Sequence, residues 1–556
     1  MSTHNVGALL RQHAQEHPDT PALAMPVGRE ADGGTKWEWW NYAQLDAASD
    51  EYAAGFLATG LKAGDRTLML MKPNHEFYAV MFGLQKMGAL PVMLDPGMGV
   101  MNLLRCIGQI QPVGIVAIPP VHVVRLFVRR PFAKLQHVYT AGRRWFWGGS
   151  TLPQVRAAGA GQTVEPVHAD PDDEAAIIFT SGSTGPAKGV SLRHGAFSTG
   201  VSAIREMYGL GHGTKVVECF APFAIYDLAM GSTVIIPEMD LSKPATADPV
   251  RVVEAIDKHQ ADTAFASPIV WINTVRHCQE QGIKLNSLRQ VLAAGAPITA
   301  DMHRRFRTVL REGAEVHTPY GCTEGMPVAT VATDLILAET AAMTAQGLGT
   351  CVGTLAPGME VRFVQITDSP MPEWSDSLLV PRGEIGELVL KGRVVSPEYK
   401  DRPDANKMAK IREGDRVLHR MGDLGYIDDQ GRIWFCGRKS HRLRTQQGMV
   451  PAVPVEGVFN EHPKVLRSAL VGVGAPDGET PVLCIELEQG EDWTADDQQA
   501  LLALADGTKW QGTVQHVLRH AAFPVDPRHN SKIKREQLKV YAAVQLPHLE
   551  TALAAK

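Results

Sequence analysis

Along residues 42–112 the apolar positions fall into two alternating textures. Residues 43–59 and 77–88 repeat apolar side chains at helical spacing, whereas 67–71 and 90–94 are short continuous apolar runs that read as buried strands. Strand and helix in alternation predict a parallel sheet, because parallel neighbours can be joined only by a long crossover. The pattern returns at 217–220, 250–259, 263–266 and 290–294. Strand ends of such sheets that run into Gly or Ser are where ligands usually bind.

Between about 350 and 436 the texture changes to short β-rich segments broken by Gly and Pro, among them 361–366, 386–390 and 432–436. A smaller β-subdomain is expected there. Beyond Gly437-Arg438-Lys439-Ser440-His441, further helices and strands follow, including 467–473 and 481–488. A chain of 556 residues exceeds what one hydrophobic core usually serves. The expected division is a large α/β region at 1–437, a short linker at 438–441 and a second compact domain at 442–556.

With 44% apolar and 21% charged residues, the composition is that of an ordinary globular protein. A net charge of −5 offers no basic surface for nucleic-acid phosphates, so the expected ligand is small. Seven cysteines, with no C-x-x-C, support neither a disulfide framework nor a zinc site, and the simplest expectation is reduced thiols in the cytoplasm. The chain starts without a basic, apolar leader, and no uncharged apolar run approaches the length of a membrane span.

The segment richest in chemistry follows the apolar run 175–179. It contains Thr180, Ser181, Gly182, Ser183, Thr184 and Gly185, then Lys188. Glycines let backbone N–H groups approach an anion, hydroxyls donate further hydrogen bonds, and the lysine adds positive charge. This is either a polyphosphate cradle or a solvated turn. It is not a Walker loop, because no Gly-Lys pair occurs in the chain.

Four later segments add candidate groups. In Thr318-Pro319-Tyr320-Gly321-Cys322-Thr323-Glu324, the tyrosine suits base stacking and the carboxylate suits magnesium, whereas taken singly a buried core tyrosine and a helix-capping glutamate read better. Gly422-Asp423-Leu424-Gly425 places a short acid in a turn, either for ribose hydroxyls or for local reasons. Arg438 suits a phosphate or ribose oxygen. Lys532 lies in an exposed basic turn and is either a solvated charge or a catalytic ammonium delivered by domain rotation.

Residues 123–147 stand apart, with Arg125, Arg129, Arg130, Lys134, Arg143 and Arg144 interleaved among Phe127, Phe132, Trp145, Phe146 and Trp147. They form either a contact surface for lipid headgroups or a partner protein, or a solvated face with its aromatics packed inward. Hydrolase chemistry has no support: neither G-x-S-x-G nor H-E-x-x-H is present.

Taken in order, these segments resemble the core motifs of the adenylate-forming superfamily, which includes acyl-CoA synthetases, luciferases and peptide-synthetase adenylation domains. The likeness runs from Trp40-Asn41-Tyr42 and Gly64-Asp65-Arg66 to Lys532. It implies a large N-terminal region of two parallel-rich sheets plus a β-subdomain, and a small mobile α+β C-terminal domain. It also implies ATP and Mg2+ as cofactors. By resemblance, residues 180–185 and Lys188 bind phosphates, and Gly295, Ala296 and Pro297 with residues 318–323 line the adenine pocket. Glu324 and Thr180 contact magnesium, Asp423 holds the ribose with Arg438 beside it, Ser440 is the hinge, and Lys532 is the adenylation lysine.

Departures from the family pattern concern the second half-reaction. Ala224 stands where a histidine is common, which would open or reshape the acyl pocket. Ser440 replaces the usual hinge Asp or Lys, and Pro454 stands where an acid is expected. Leu94-Asp95-Pro96-Gly97-Met98-Gly99, Ile236-Pro237-Glu238-Met239-Asp240, the stretch around Trp434-Phe435-Cys436 and Phe523-Pro524-Val525-Asp526-Pro527 look like the β-lactone synthetases of bacterial long-chain olefin biosynthesis. That likeness implies activation of a 2-alkyl-3-hydroxy fatty acid, ring closure by its own 3-hydroxyl without CoA, and assembly with other enzymes of the pathway. A fatty acyl-CoA ligase is the alternative. His317 and His441 are the motif histidines nearest to a base for ring closure, each also readable as structural.

Overall fold

The computed structural model describes residues 4–180, 186–525 and 532–554. Its first sheet has seven strands, in the spatial order Ser150–Thr151, His137–Thr140, Gly114–Ala117, Arg66–Leu70, Leu90–Met93, Glu174–Phe179 and Gly189–Arg193. All neighbours are parallel except the last pair. The helices Tyr42–Ala58 and His75–Lys86 pack together, each started by an asparagine whose side chain accepts from the third backbone N–H of the helix. Both ends lie within a few residues of the ends that the apolar spacing predicts.

Between these helices lies a buried ionic cluster. Lys86, with no solvent exposure, donates to Asp46 at 2.5 Å and Asp50 at 2.6 Å, and Arg11 closes on the same two carboxylates. Each charge is buried, and each is paid for by an opposite one.

The second sheet is larger. Its parallel part comprises Pro21–Arg29, Thr233–Ile235, Lys215–Glu218, Thr263–Ala266, Gln290–Ala293 and Glu315–Cys322. The chain then reverses into Gly325–Ala332, leaving Thr323 and Glu324 at the tip of a hairpin. From there the sheet continues antiparallel through Thr350–Leu355, Ile433–Arg438, Arg416–Ile427, Gly386–Lys391 and Glu360–Val364. The β-rich segments expected at 350–436 are therefore hydrogen-bonded onto the far edge of this sheet.

A third sheet, Val465–Val473, Thr480–Leu487 and His516–Arg519, has a core on each face. Leu470 and Leu483 point to one with Phe459 and Trp510; Ala469, Val471 and Cys484 point to the other with Leu538. This is the two-residue period of a strand covered on both sides, here by the helices Ala452–Phe459 and Arg535–Ala554. The fold is thus a large N-terminal domain followed by a small C-terminal one.

The region around the third sheet is tied to the rest by apolar packing of the helix Ala452–Phe459 and by polar contacts. Trp510 donates its indole N–H to the Gly347 carbonyl at 2.7 Å, and Arg442 pairs with Asp368 at 2.6 Å. Just before Arg442, Lys439 is tied to Glu387 at 2.9 Å and to the Thr367 carbonyl. Glu387 is itself buried against Arg420.

The basic aromatic segment divides into two kinds of side chain. Phe132 and Trp147 are buried, the latter stacked on His122 and donating to the Thr140 hydroxyl, while Phe127, Trp145 and Phe146 are exposed. Among the described residues no helix is long and apolar enough to cross a membrane.

Candidate active site

A cleft of about 2620 Å³ runs between the two large sheets and the third one. It is lined by Thr180, Lys188, Gly295, Ala296, Pro297, residues 318–324, Asp423, Arg438, Ser440 and Lys532. The expected site residues thus meet in one place, except that Ser181, Gly182, Ser183, Thr184 and Gly185 lie outside the described residues. Thr180 begins this segment where Glu174–Phe179 ends, its N–H donating to the Lys188 carbonyl at 3.0 Å across to the antiparallel strand.

Tyr399 organises the first group of charges. Its hydroxyl donates to Glu324 at 2.6 Å, while the Lys188 and Lys410 ammonium groups lie 4.7 Å and 5.2 Å from the centre of its ring. Burial lowers the pKa of the Lys188 ammonium, and Glu324 opposes that shift. Lys410 is more deeply buried and is pulled down to about 8, although it donates to the Ser396 carbonyl at 2.6 Å. Neither Tyr399 nor Lys410 was singled out by sequence. A Tyr-Lys pair followed by a lysine in an apolar context, at 399–400 and 410, is too common a pattern to stand out.

Glu324 also lies within reach of Cys322 and His419, the three ligand atoms being within 4.8 Å of one another. The donor chemistry separates them. Burial pushes the Cys322 thiol up and keeps the His419 imidazole neutral, with its Nδ1 unpartnered. Of these three the hard carboxylate oxygen is the donor that suits magnesium, and the Thr180 hydroxyl, which also lines the cleft, is an oxygen donor of the kind this ion takes.

Asp423 is buried between two donors: the Tyr320 hydroxyl and Arg438, each at 2.5 Å from a different carboxylate oxygen. Its location corrects the expectation of a turn. Asp423 sits inside the strand Arg416–Ile427, paired opposite Arg438, and the glycines around it accommodate a positive φ of 70° at Gly422 and a register shift at Gly425. The bulge turns the carboxylate toward the cleft without ending the strand.

Two further expectations change. Lys532 is half-buried rather than exposed, because its turn faces the cleft. Ala224 is fully buried and does not line the cleft; on its helix, Ala221–Met230, the cleft is met by Phe223, Tyr226 and Asp227, one helical face over. His317 lies away from this cleft, edge-on to Tyr208, while His441 lines it and sits 3.6 Å from Glu536.

A model of AMP-binding enzymes matches residues 10–400. The chain belongs to the AMP-binding enzyme family. Two members of the family are similar over nearly their whole lengths. The olefin beta-lactone synthetase of Stenotrophomonas maltophilia is 42% identical over 98% of both chains. That of Xanthomonas campestris is 40% identical over 97% of this chain and 98% of its own. Among solved structures, an O-succinylbenzoate coenzyme A synthetase from Bacillus subtilis, in complex with ATP and magnesium, has a TM-score of 0.72 and 19% identity over 96% of this chain and 99% of its own. That last likeness concerns the fold. As a member of this family the protein is an adenylate-forming ligase.

Proposed function

We propose that this enzyme activates a 2-alkyl-3-hydroxy fatty acid as its acyl-AMP and closes it to a β-lactone. The observation that carries this reading is the 42% identity to an olefin beta-lactone synthetase along the full length of both chains. The site's geometry supports the shared first step. An anionic carboxylate must approach an anionic phosphate, so catalysis is chiefly charge neutralisation and positioning.

In this reading Lys188 and residues 180–185 hold the ATP phosphates. Gly295, Ala296, Pro297 and residues 318–323 enclose the adenine, and Asp423, oriented by Tyr320 and Arg438, accepts from the ribose hydroxyls. Glu324 and Thr180 would hold magnesium, which when bound offsets the phosphate charge. Lys532 faces the α-phosphate and the carboxylate, and residues 438–441, with Ser440 at the pivot, join domains at 1–437 and 442–556.

The second step needs no external thiol. An acyl-AMP is a mixed anhydride with a good leaving group, and a 3-hydroxyl held near its carbonyl attacks intramolecularly. The gain from such positioning can be on the order of 10⁵ M or more in effective concentration. CoA has no role in this scheme, and complexes with other olefin-pathway enzymes are consistent with it.

Product analysis tests the proposal. Purified enzyme with ATP, magnesium and a 2-alkyl-3-hydroxy fatty acid should give lactone and AMP, seen by proton NMR, at the same rate with and without CoA. A CoA thioester formed only in the presence of CoA, with no lactone, would identify a fatty acyl-CoA ligase instead.

A further inference from the structure

Eight carboxyl side chains among the described residues are buried, and six of them face a cation. Asp46 and Asp50 take Lys86 and Arg11, Glu387 takes Arg420, Asp423 takes Arg438, Glu456 takes Arg535 and Glu486 takes Arg467. Glu218 and Asp227 are the other two, only 1% and 5% exposed, and neither forms an ion pair among the described residues.

These two side chains lie together and both line the cleft. Glu218 ends the strand Lys215–Glu218, and Asp227 stands on the helix that follows, Ala221–Met230. Around them the wall is apolar and aromatic: Phe223 meets Phe265 edge-on at 4.7 Å, and Tyr226 packs on Phe197 at 4.3 Å. Glu218 has a local use, accepting the Phe220 N–H at 2.6 Å at the start of the helix. Asp227 is hydrogen-bonded to Glu218, carboxyl to carboxyl, and apart from that shared proton its Oδ2 is buried without a donor among the described residues. Two buried acids with one proton between them and no cation beside them keep acceptor capacity to spare, so this pair suits a ligand that donates a hydrogen bond.

We propose that Glu218 and Asp227 are the catalytic pair for ring closure, holding the substrate's 3-hydroxyl and accepting its proton. This rests on the lactone reading above. Burial raises both acids, and two carboxyls this close share one proton near neutrality, leaving one carboxylate to act as base. As the 3-oxygen attacks the acyl carbon, its O–H bond breaks and the proton passes to that carboxylate. The new carbon–oxygen bond closes the ring, the bond from the acyl carbon to the phosphate oxygen breaks, and AMP leaves with that electron pair. The pair then returns its extra proton to solvent when the cleft opens.

The groups around the pair do not compete for this role. Tyr42 and Tyr78 approach from the helices Tyr42–Ala58 and His75–Lys86, and Cys219 follows Glu218; burial pushes all three up and keeps them neutral. His13 and Arg205 reach the same helix but bond to the Ala229 and Met230 carbonyls. In sequence the pair is marked only by two acids within the otherwise apolar run 216–230.

The test compares two products of full-length enzyme given a 2-alkyl-3-hydroxy fatty acid: lactone, and total pyrophosphate. In Asp227→Asn and Glu218→Gln the lactone formed per pyrophosphate released should fall at least ~10²-fold, the usual range for a lost general base, with acyl-AMP or its hydrolysis product taking its place. In the wild type the same ratio should fall as pH drops below neutrality, where the pair takes up its second proton, a readout that survives if the variants do not fold. A ratio unchanged in both variants, or flat with pH in the wild type, overturns the assignment. Absence of lactone from the wild type at every pH would instead overturn the proposed function itself.

Discussion

The protein buries acids in two ways. At Asp46 and Asp50, two helices are joined around carboxylates that are completely neutralised by Lys86 and Arg11. At Glu218 and Asp227, an equally buried pair meets no cation among the described residues and opens onto the cleft. The first arrangement has nothing left to offer a ligand; the second is incomplete until one arrives. Burial alone therefore does not distinguish a structural acid from a working one, and the completeness of its partners does.

The cleft shows the same contrast on a larger scale. Around Glu324 and Asp423 the acids are set among Lys188, Lys410 and Arg438, a charged environment suited to a nucleotide, whereas around Asp227 the walls are aromatic. Substitutions on the two sides should fail in different assays. Lys532→Ala, on the charged side, should lower ATP–pyrophosphate exchange by roughly 10³-fold, as for removal of a group that stabilises transition-state charge; exchange at the wild-type rate would dismiss its assigned role. Lys86→Met should leave two buried carboxylates sharing Arg11 alone and cost about 3–5 kcal/mol in denaturant unfolding, while Asp227→Asn, which removes no partner from another charge, should cost far less. If the two variants lose similar stability, the distinction between the acid pairs collapses.

Smaller effects refine the boundary. Glu324→Gln keeps an acceptor for the Tyr399 hydroxyl but removes the charge, and should reduce turnover by about 10²-fold with a raised requirement for magnesium, read from a magnesium titration. Phe265→Leu, on the aromatic side, should raise KM for the fatty acid by about tenfold and leave KM for ATP in place. A change in ATP affinity of similar size would mean that the two sides of the cleft are not separable.

Much of this was legible in the sequence. The alternation of apolar textures located the parallel strands and their helices, with ends displaced by no more than about two residues, as at Arg66–Leu70 and Gln290–Ala293. The motif residues were legible, and they meet in one cleft, because their chemistry is carried by short contiguous segments. What failed was local geometry. Asp423 between glycines reads as a turn, and only the pairing with Arg438 reveals a bulged strand. Ala224 was read by its position in a motif, but the rotation of its helix directs Phe223 and Asp227 to the cleft instead. The acid pair is not legible because what sets it apart is that no cation faces it among the described residues, which no linear pattern records.

One glycine carries a consequence for the whole assembly. Gly347 has a φ of 81°, and a Cβ placed there would lie 2.3 Å from the Trp510 ring. Every other residue type would have to pay twice, in backbone strain and in collision with an indole that is also bound to the Gly347 carbonyl. The seating of one domain on the other is therefore written as a missing methyl group: a keyhole, cut in the larger domain, that a single tryptophan fits.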